Sequence, residues 1–284
     1  MAIKENSIVI VSKGYAMEPS SFFPHLNAGV GDPKLYLTTP KSRKFMGKQD
    51  LLSVTALGRA LETTNYQGHR SGIYMSVGYI PFEKDILENI ARLSSAGTKF
   101  SMNNFVKDAV SQLNPLLTFR CLPNMPVYHC SVNFNITGAY YVTHPSIGEF
   151  YQCLIRAIAD LKSNRVDCAM VGACADMNNF LVTQCLRMKK LNITSLTDSA
   201  AFIILKSFKR EEINEQDVIY TLSDFNLTYN PKHHSYSESF NRVNIPIYPG
   251  SPSLALSLCG DDSKITHHGT TETGYIFKSK WERP

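Results

Sequence analysis

Apolar positions along the chain switch between two periods. Ser7 to Val11 (SIVIV) is a short continuous apolar run and reads as a buried strand. The stretch from Lys34 to Lys44 is basic and loop-like. From Asp50 to Thr63, Leu52, Val54, Leu57 and Leu61 recur at helical spacing, with Asp50 placed to cap the helix. Ser71 to Tyr79 (SGIYMSVGY) predicts a second strand that runs into a glycine turn. Phe82, Ile86, Ile90 and Leu93 then fall on one side of an amphipathic helix. The segment from Asn103 to Phe134 is mixed and interrupted at Pro115, Pro123 and Pro126. Tyr140 to Thr143 predicts a third strand. Beyond Ile147, the series Phe150, Tyr151, Leu154, Ile158 and Leu161 predicts a helix. Asp167 to Ala173 (DCAMVGA) and Ser199 to Leu205 (SAAFIIL) read as a fourth and a fifth buried strand. After about Lys206 the sequence turns polar and rich in turn residues, especially from Asn226 to Asn244. A short apolar run from Ser253 to Cys259 follows, and GYIFKSK predicts a closing strand. Strands alternating with helices predict an α/β layered fold.

Composition narrows the possible functions. A chain of 284 residues with 43% hydrophobic content can bury one large core or two coupled subdomains. Its apolar runs are too short to cross a bilayer, and its opening residues read as a first strand rather than a signal peptide. A cytoplasmic protein with no membrane partner is therefore expected. The net charge of +5 is mild, and no Lys/Arg block is interleaved with aromatics, so nucleic acid is not an expected partner. A mildly basic surface suits an acidic partner or simply keeps the protein soluble. The seven cysteines form no CxxC pair and no cluster with histidine at metal spacing, which predicts buried thiols and no metal. His233 and His234 lie in a polar stretch without metal-spaced partners. No glycine-rich phosphate loop is present, and no cofactor is expected. Asn135, Asn192 and Asn226 open Asn-x-Ser/Thr triplets that read as chance matches.

The stretch GAYYVTHPSIGEFYQCLIRAIADLKSNRVDCAMVGA, from Gly138, joins a strand, a short turn (His144, Pro145, Ser146) and a helix. Such a junction is where many α/β enzymes hold a nucleophile, because the helix N-terminus presents amide N–H groups and partial positive charge. Here the position is Ile147, a side chain with no chemistry.

Taken together, these segments resemble the N-terminal half of a β-ketoacyl synthase of the thiolase superfamily. KFMGKQDLLSVTALGRALE resembles the early helix of that family, and SGIYMSVGY the strand and glycine turn after it. NPLLTFRCLPNMPVYHCSVNFNITG is similar to the stretch around a Pro-Asn-Met-like motif and a Gly-Pro turn. VDCAMVGACADMNNF and DSAAFIILK resemble two further core strands. In the family, the strand after the Gly-Pro turn ends in Thr-Ala-Cys, and the cysteine carries the acyl chain. Aligned from either side, Pro145 and Ser146 replace Thr-Ala and Ile147 replaces Cys, so no thioester can form there. Cys153 lies about a turn and a half further along the helix and should face elsewhere. The family also carries two catalytic histidines in a longer C-terminal half. HHGTTETGYIFKSK contains His-Gly-Thr but resembles the family's last loop and strand, so His268 is expected to be a solvated or packing residue. NIPIYPGSPSLALSLC resembles a remnant of the helix after the second histidine motif.

The resemblance implies a thiolase-like layered α/β/α fold, with a ketosynthase-like domain over residues 1–206 and a reduced C-terminal half over 207–284. A cysteine-less ketosynthase homologue resembles the chain length factor of type II polyketide synthases. Such a subunit pairs with an active ketosynthase and shapes the tunnel in which the polyketide grows. A carrier protein with a phosphopantetheine arm serves the active partner. Many chain length factors hold Gln at the cysteine position; Ile147 lacks that amide, which argues against a decarboxylase role. Family members dimerise through the strand before the nucleophile, here Ala139, Tyr140, Tyr141, Val142 and Thr143. The tunnel end would be built from Phe82, Ile86 and Ile90, with Leu117 and Cys121. Two alternatives stand beside this reading. One is an acyl hydrolase or acyltransferase using Ser146 with His144, a pair that neighbouring positions orient poorly for proton transfer. The other is a self-associating structural homodimer.

Overall fold

The structure is a computed structural model. It describes the chain apart from residues 1–2, 22, 25, 27–28, 81, 144, 147, 191–192, 194–195, 233–237, 241–247, 249 and 272–273, and apart from the side chains of 115, 117–118 and 238–240. In chain order the strands are β1 (Ile8–Met17), β2 (Ser71–Val77), the small hairpin β3 (Ser95–Ala96) and β4 (Lys99–Phe100), β5 (Tyr140–Thr143), β6 (Cys168–Ala175), β7 (Ser199–Ser207), β8 (Tyr220–Tyr229), β9 (Glu238–Phe240), β10 (Lys264–Thr270) and β11 (Tyr275–Glu282). The helices are α1 (Lys48–Leu61), α2 (Lys84–Leu93), α3 (Met102–Asn104), α4 (Pro115–Arg120), α5 (Met125–Asn133), α6 (Glu149–Lys162), α7 (Phe180–Met188) and α8 (Ser253–Ser257).

Among the described residues one large sheet runs in the order β5-β2-β6-β7-β1-β8-β11-β10-β9. β5, β2 and β6 are parallel and the remaining pairs antiparallel. β2 and β6 are buried along their whole length, which explains their continuous apolar sequences. Alternate residues of these central strands feed two cores. Ile73, Met75, Met170, Phe202 and Ile204 pack under α1 and α5. Tyr74, Val171, Ile203 and Leu205 pack under α6 and α8. Helices thus cover both faces, as the layered expectation requires. The sheet then continues past β1 and returns over the outer side of α6, where Tyr151 stacks on Phe277 of β11 and on Phe225 of β8, with centroids 4.2 and 6.1 Å apart. Residues after 207 therefore continue the same sheet.

Several elements differ in detail from their sequence patterns. α1 starts before Asp50, with Gly47 as its cap. The Asp50 carboxylate reaches back to accept the Gly47 N–H at 2.6 Å, the reciprocal half of a capping box. The amphipathic pattern from Phe82 becomes a helix only at Lys84, because the Phe82 N–H turns back to the Ile80 carbonyl and Glu83 is extended. α5 forms in the proline-interrupted segment; Pro126 sits in its first turn, where no N–H is needed. β8 forms in the polar tract. Its ladder with β11 needs only one covered face, so most of its side chains stay at least partly exposed.

β1 and α1 are in direct backbone contact. A Cβ at Gly14 would run into the Ala56 carbonyl and the Ala60 amide. Gly14→Val should therefore push α1 off the sheet and destabilise the fold by about 3 kcal/mol or more, near the upper end of overpacking costs. Urea unfolding of the two proteins checks this, with an unchanged midpoint as the contrary result.

Candidate functional site

The strand–turn–helix junction lies at the carboxyl ends of β2, β5 and β6, the end at which open α/β sheets hold ligands. Gly148 caps α6 with φ +75°, and a Cβ there would lie 2.6 Å from Thr271 Cγ2 and 2.9 Å from Phe277 Cε1. Both conformation and space therefore demand glycine. The loop before α8 closes on the turn: Gly250 N–H donates to the Ser146 carbonyl at 3.1 Å, and a Cβ on Gly250 would meet Pro145 at 2.8 Å. The C-terminal part of the chain thus presses against Pro145 and Ser146 of the turn. Ile147 and His144 lie outside the described residues. Ser146 Oγ is buried with no hydrogen-bond partner, so no base among the described residues activates it as a nucleophile.

A chain of buried hydrogen bonds fixes the first turn of α6. Ser257 donates to the Leu254 carbonyl at 2.8 Å and lies 2.7 Å from His267 Nε2, so Nε2 carries the proton and donates to Ser257. His267 Nδ1 then accepts from the Tyr151 hydroxyl at 2.7 Å. Tyr151 accepts from Ser279 at 2.6 Å, and Ser279 accepts from Trp281 Nε1 at 3.0 Å. Burial holds His267 neutral, down to about 3, and raises the Tyr151 hydroxyl. A base that weak holds structure rather than moving protons. His268, the histidine of the His-Gly-Thr triplet, is exposed on the opposite face of β10, as expected of a solvated residue. The period-2 alternation Ile265, His267, Gly269 was the signal that His267, and not His268, points inward.

Cys153 is fully buried in the core, 3.7 Å from Thr143 Oγ1, and burial raises its thiol. The cysteines are all free. Burial pushes Cys168 up to about 11 and Cys174 and Cys259 up to about 12, which removes them as thiolates. No group of three or more His, Cys, Asp or Glu among the described residues is placed to hold a metal ion. Beside the junction, Lys48 pairs with the fully buried Asp198 and with Glu18 at 3.1 Å, tying the start of α1 to the ends of β1 and β7. Burial and the neighbouring Asp198 push Asp176 up to about 6.

β5, preceded by Ala139, forms the edge of the sheet. Tyr140 is 73% exposed and Tyr141 36% exposed, while Val142 is half-buried and Thr143 buried. Phe82, Ile86 and Ile90 are half-buried around α2. Leu117 lies in α4, its side chain outside the described residues. Cys121 is buried beside Ile80 and Asp50, around a cavity of ≈ 10 Å³. The segment from α2 to α4 leaves Phe100, Met102, Val106, Phe119 and Leu122 exposed. No helix among the described residues is long and apolar enough to cross a membrane.

No protein-family model matches the sequence, and no curated protein does either. Solved structures match in fold. A chain from a type II polyketide synthase acyl-carrier protein in complex with its ketosynthase bound to the hexaketide is similar with a TM-score of 0.68 at 11% identity, over 99% of this chain and 100% of that one. A β-ketoacyl synthase from Burkholderia phymatum gives 0.56 at 10% identity, over 81% of this chain and 66% of that one. The ishigamide ketosynthase/chain length factor gives 0.53 at 9% identity, over 78% and 67%. The fold is therefore the mixed α/β, thiolase-like fold of ketosynthases.

Two outcomes follow for the buried chain. Tyr151→Phe should cost about 1–3 kcal/mol, because the His267 and Ser279 groups lose a buried partner. The folded chain keeps His267 neutral down to about 3, whereas the unfolded imidazole takes a proton near its ordinary 6.5. Stability should accordingly fall as pH drops below 6.5, by up to about 1.4 kcal/mol per pH unit from this group. In His267→Gln that slope should shrink by one proton between pH 6.5 and 5, read by urea unfolding across the window.

Proposed function

We propose that this chain is a ketosynthase-like subunit without an acyl-accepting cysteine, which pairs with an active β-ketoacyl synthase in a type II polyketide synthase and sets chain length. The observation that carries this reading is the pairing of an isoleucine at position 147 with an intact, uncovered β5 edge. A site stripped of its nucleophile on a fold kept whole is what a partner subunit requires. The free N–H and C=O groups of β5 would be satisfied by the partner's equivalent strand, and Tyr140 and Tyr141 would supply apolar contact. Residues 207–284 act as the reduced counterpart of the C-terminal half. The cysteine and its proton-transfer groups belong to the partner, and so does the covalent chemistry.

The tunnel role falls to the α2–α4 segment. Its apolar side chains are only half covered within one chain, as expected of a wall completed by a second subunit. Phe82 and Ile86 are the proposed closing residues, and Ile90, Leu117 and Cys121 are the further residues proposed for the tunnel wall. The carrier protein, with its phosphopantetheine arm, delivers units to the partner's cysteine. Lys41, Arg43 and Lys44, which have no ion pair among the described residues, give this chain a basic segment suited to an acidic partner.

Co-expression with an active type II ketosynthase should give a 1:1 or 2:2 complex by native mass measurement. Tyr140→Lys should abolish that complex without unfolding the chain, since the side chain is solvent-facing. A soluble homodimer that ignores the ketosynthase would overturn the pairing. Within an intact complex, Phe82→Ala should shift the product distribution to longer chains, and an unchanged distribution would remove Phe82 as the gate.

A further inference from the structure

Deep between α1, α4 and α5 lies a pair of groups that the pairing and tunnel roles do not use. Asp50 of α1 is 2% exposed and His129 of α5 is 4% exposed. Their Oδ2 and Nε2 atoms are 3.9 Å apart, and Nε2 has no hydrogen-bond partner. The backbone of Phe45 hydrogen-bonds the imidazole, and since Nε2 is unpartnered that contact falls to Nδ1. Nδ1 thus carries the ring proton, donated to the carbonyl, and Nε2 presents a bare lone pair to the carboxyl group. A buried lone pair facing a buried carboxylate is costly unless a proton lies between them.

We infer that Asp50 and His129 share one buried proton and form a pH-dependent latch that fastens the basic segment Pro40–Phe45 to α1 and α5. In the closed form the Asp50 hydroxyl donates to His129 Nε2, after the gap narrows to hydrogen-bonding distance. Asp50 still accepts the Gly47 N–H, and His129 still donates to Phe45. The latch therefore joins the start of α1, the end of the basic segment and the middle of α5 through two side chains. Loss of the proton leaves an anion opposite a lone pair, and the link opens.

The surroundings favour this arrangement. Burial pushes Asp50 up to about 7, against the Gly47 N–H and Arg120, which act to lower it. Burial also lowers His129, so the imidazole stays neutral and the single proton resides on Asp50. The other titratable groups facing this region are Tyr128, whose ring meets the His129 imidazole edge-on with centroids 5.2 Å apart, Cys121 after α4, Cys130 of α5 and Cys174 of β6, these three with raised thiols, and Glu83, which acts on Cys121. Arg120 is the cation acting on Asp50. The adjoining cavity of ≈ 10 Å³ has room for about one water, so bulk solvent does not rehydrate the carboxylate. A carboxyl group with a raised folded-state value stabilises the fold fully below its unfolded value. That contribution is lost as pH rises through about 7.

The opening has a defined mechanical target. Phe45, Phe119, Leu122, Met125 and Tyr128 line, with His129, a groove of ≈ 540 Å³ bounded by the basic segment. Releasing Phe45 would loosen that wall and the three cations before it.

The test uses the full chain with ¹⁵N-labelled histidine and ¹³C-carboxyl aspartate, followed by NMR from pH 5.5 to 8.5. The Asp50 carboxyl and the His129 ring should change together with a shared midpoint near 7. Amide hydrogen exchange at residues 41–46, corrected for intrinsic rate, should rise several-fold through the same midpoint. Asp50→Asn keeps the shape and the Gly47 contact but removes the titration, so both the His129 transition and the exchange step should vanish. An Asp50 midpoint below 5 in the wild-type chain would overturn the inference without any variant. A His129 transition unchanged in Asp50→Asn would overturn it as well.

Discussion

The helix that follows the turn after β5 is enclosed on both sides, and much of the architecture depends on that enclosure. α6 presses Cys153, Leu154, Ala157 and Leu161 onto the parallel part of the sheet and offers Tyr151 to the returning part. A tyrosine so placed must satisfy its hydroxyl within the protein. The run from Trp281 through Ser279 and His267 to Ser257 does so, drawing β10, β11 and α8 onto the helix. The first turn of α6 is thereby fixed by groups far away in sequence. The junction is therefore a structural keystone, whatever chemistry it carries.

Sequence patterns revealed the half of the fold whose elements bury an unambiguous face. β5 coincides with its predicted range. β2, β6, β7 and α6 fall within about two residues of theirs, because fully buried strands and two-sided helices leave little freedom in their apolar spacing. β8 and α7 were hidden because each buries only part of its surface and carries polar residues where the pattern expects apolar ones. α5 was hidden by Pro126, a breaker inside a helix but harmless in its first turn. The cap of α1 was misplaced because Asp50 contacts the cap residue from three positions inside the helix.

The candidate site was legible to a different degree. That residue 147 is isoleucine is a matter of residue identity and needs no coordinates. The edge location of β5 is a matter of sheet order and appears only in the fold. His267 required both: its inward direction follows from alternation, but its Tyr151 and Ser257 partners come from elements 116 and 10 residues away in sequence. Polar residues in cores are hard to foresee for this reason, because each is acceptable only if its partners arrive from elsewhere.

The β5 edge is only four residues long. So short a strand offers few backbone hydrogen bonds and little opportunity for slipped registers, so recognition must be written mainly in the side chains flanking it. A chain of this kind is protected against indiscriminate strand addition by brevity rather than by charge. Under the proposed pairing, a surplus of this chain over its partner would have no template on which to complete that edge.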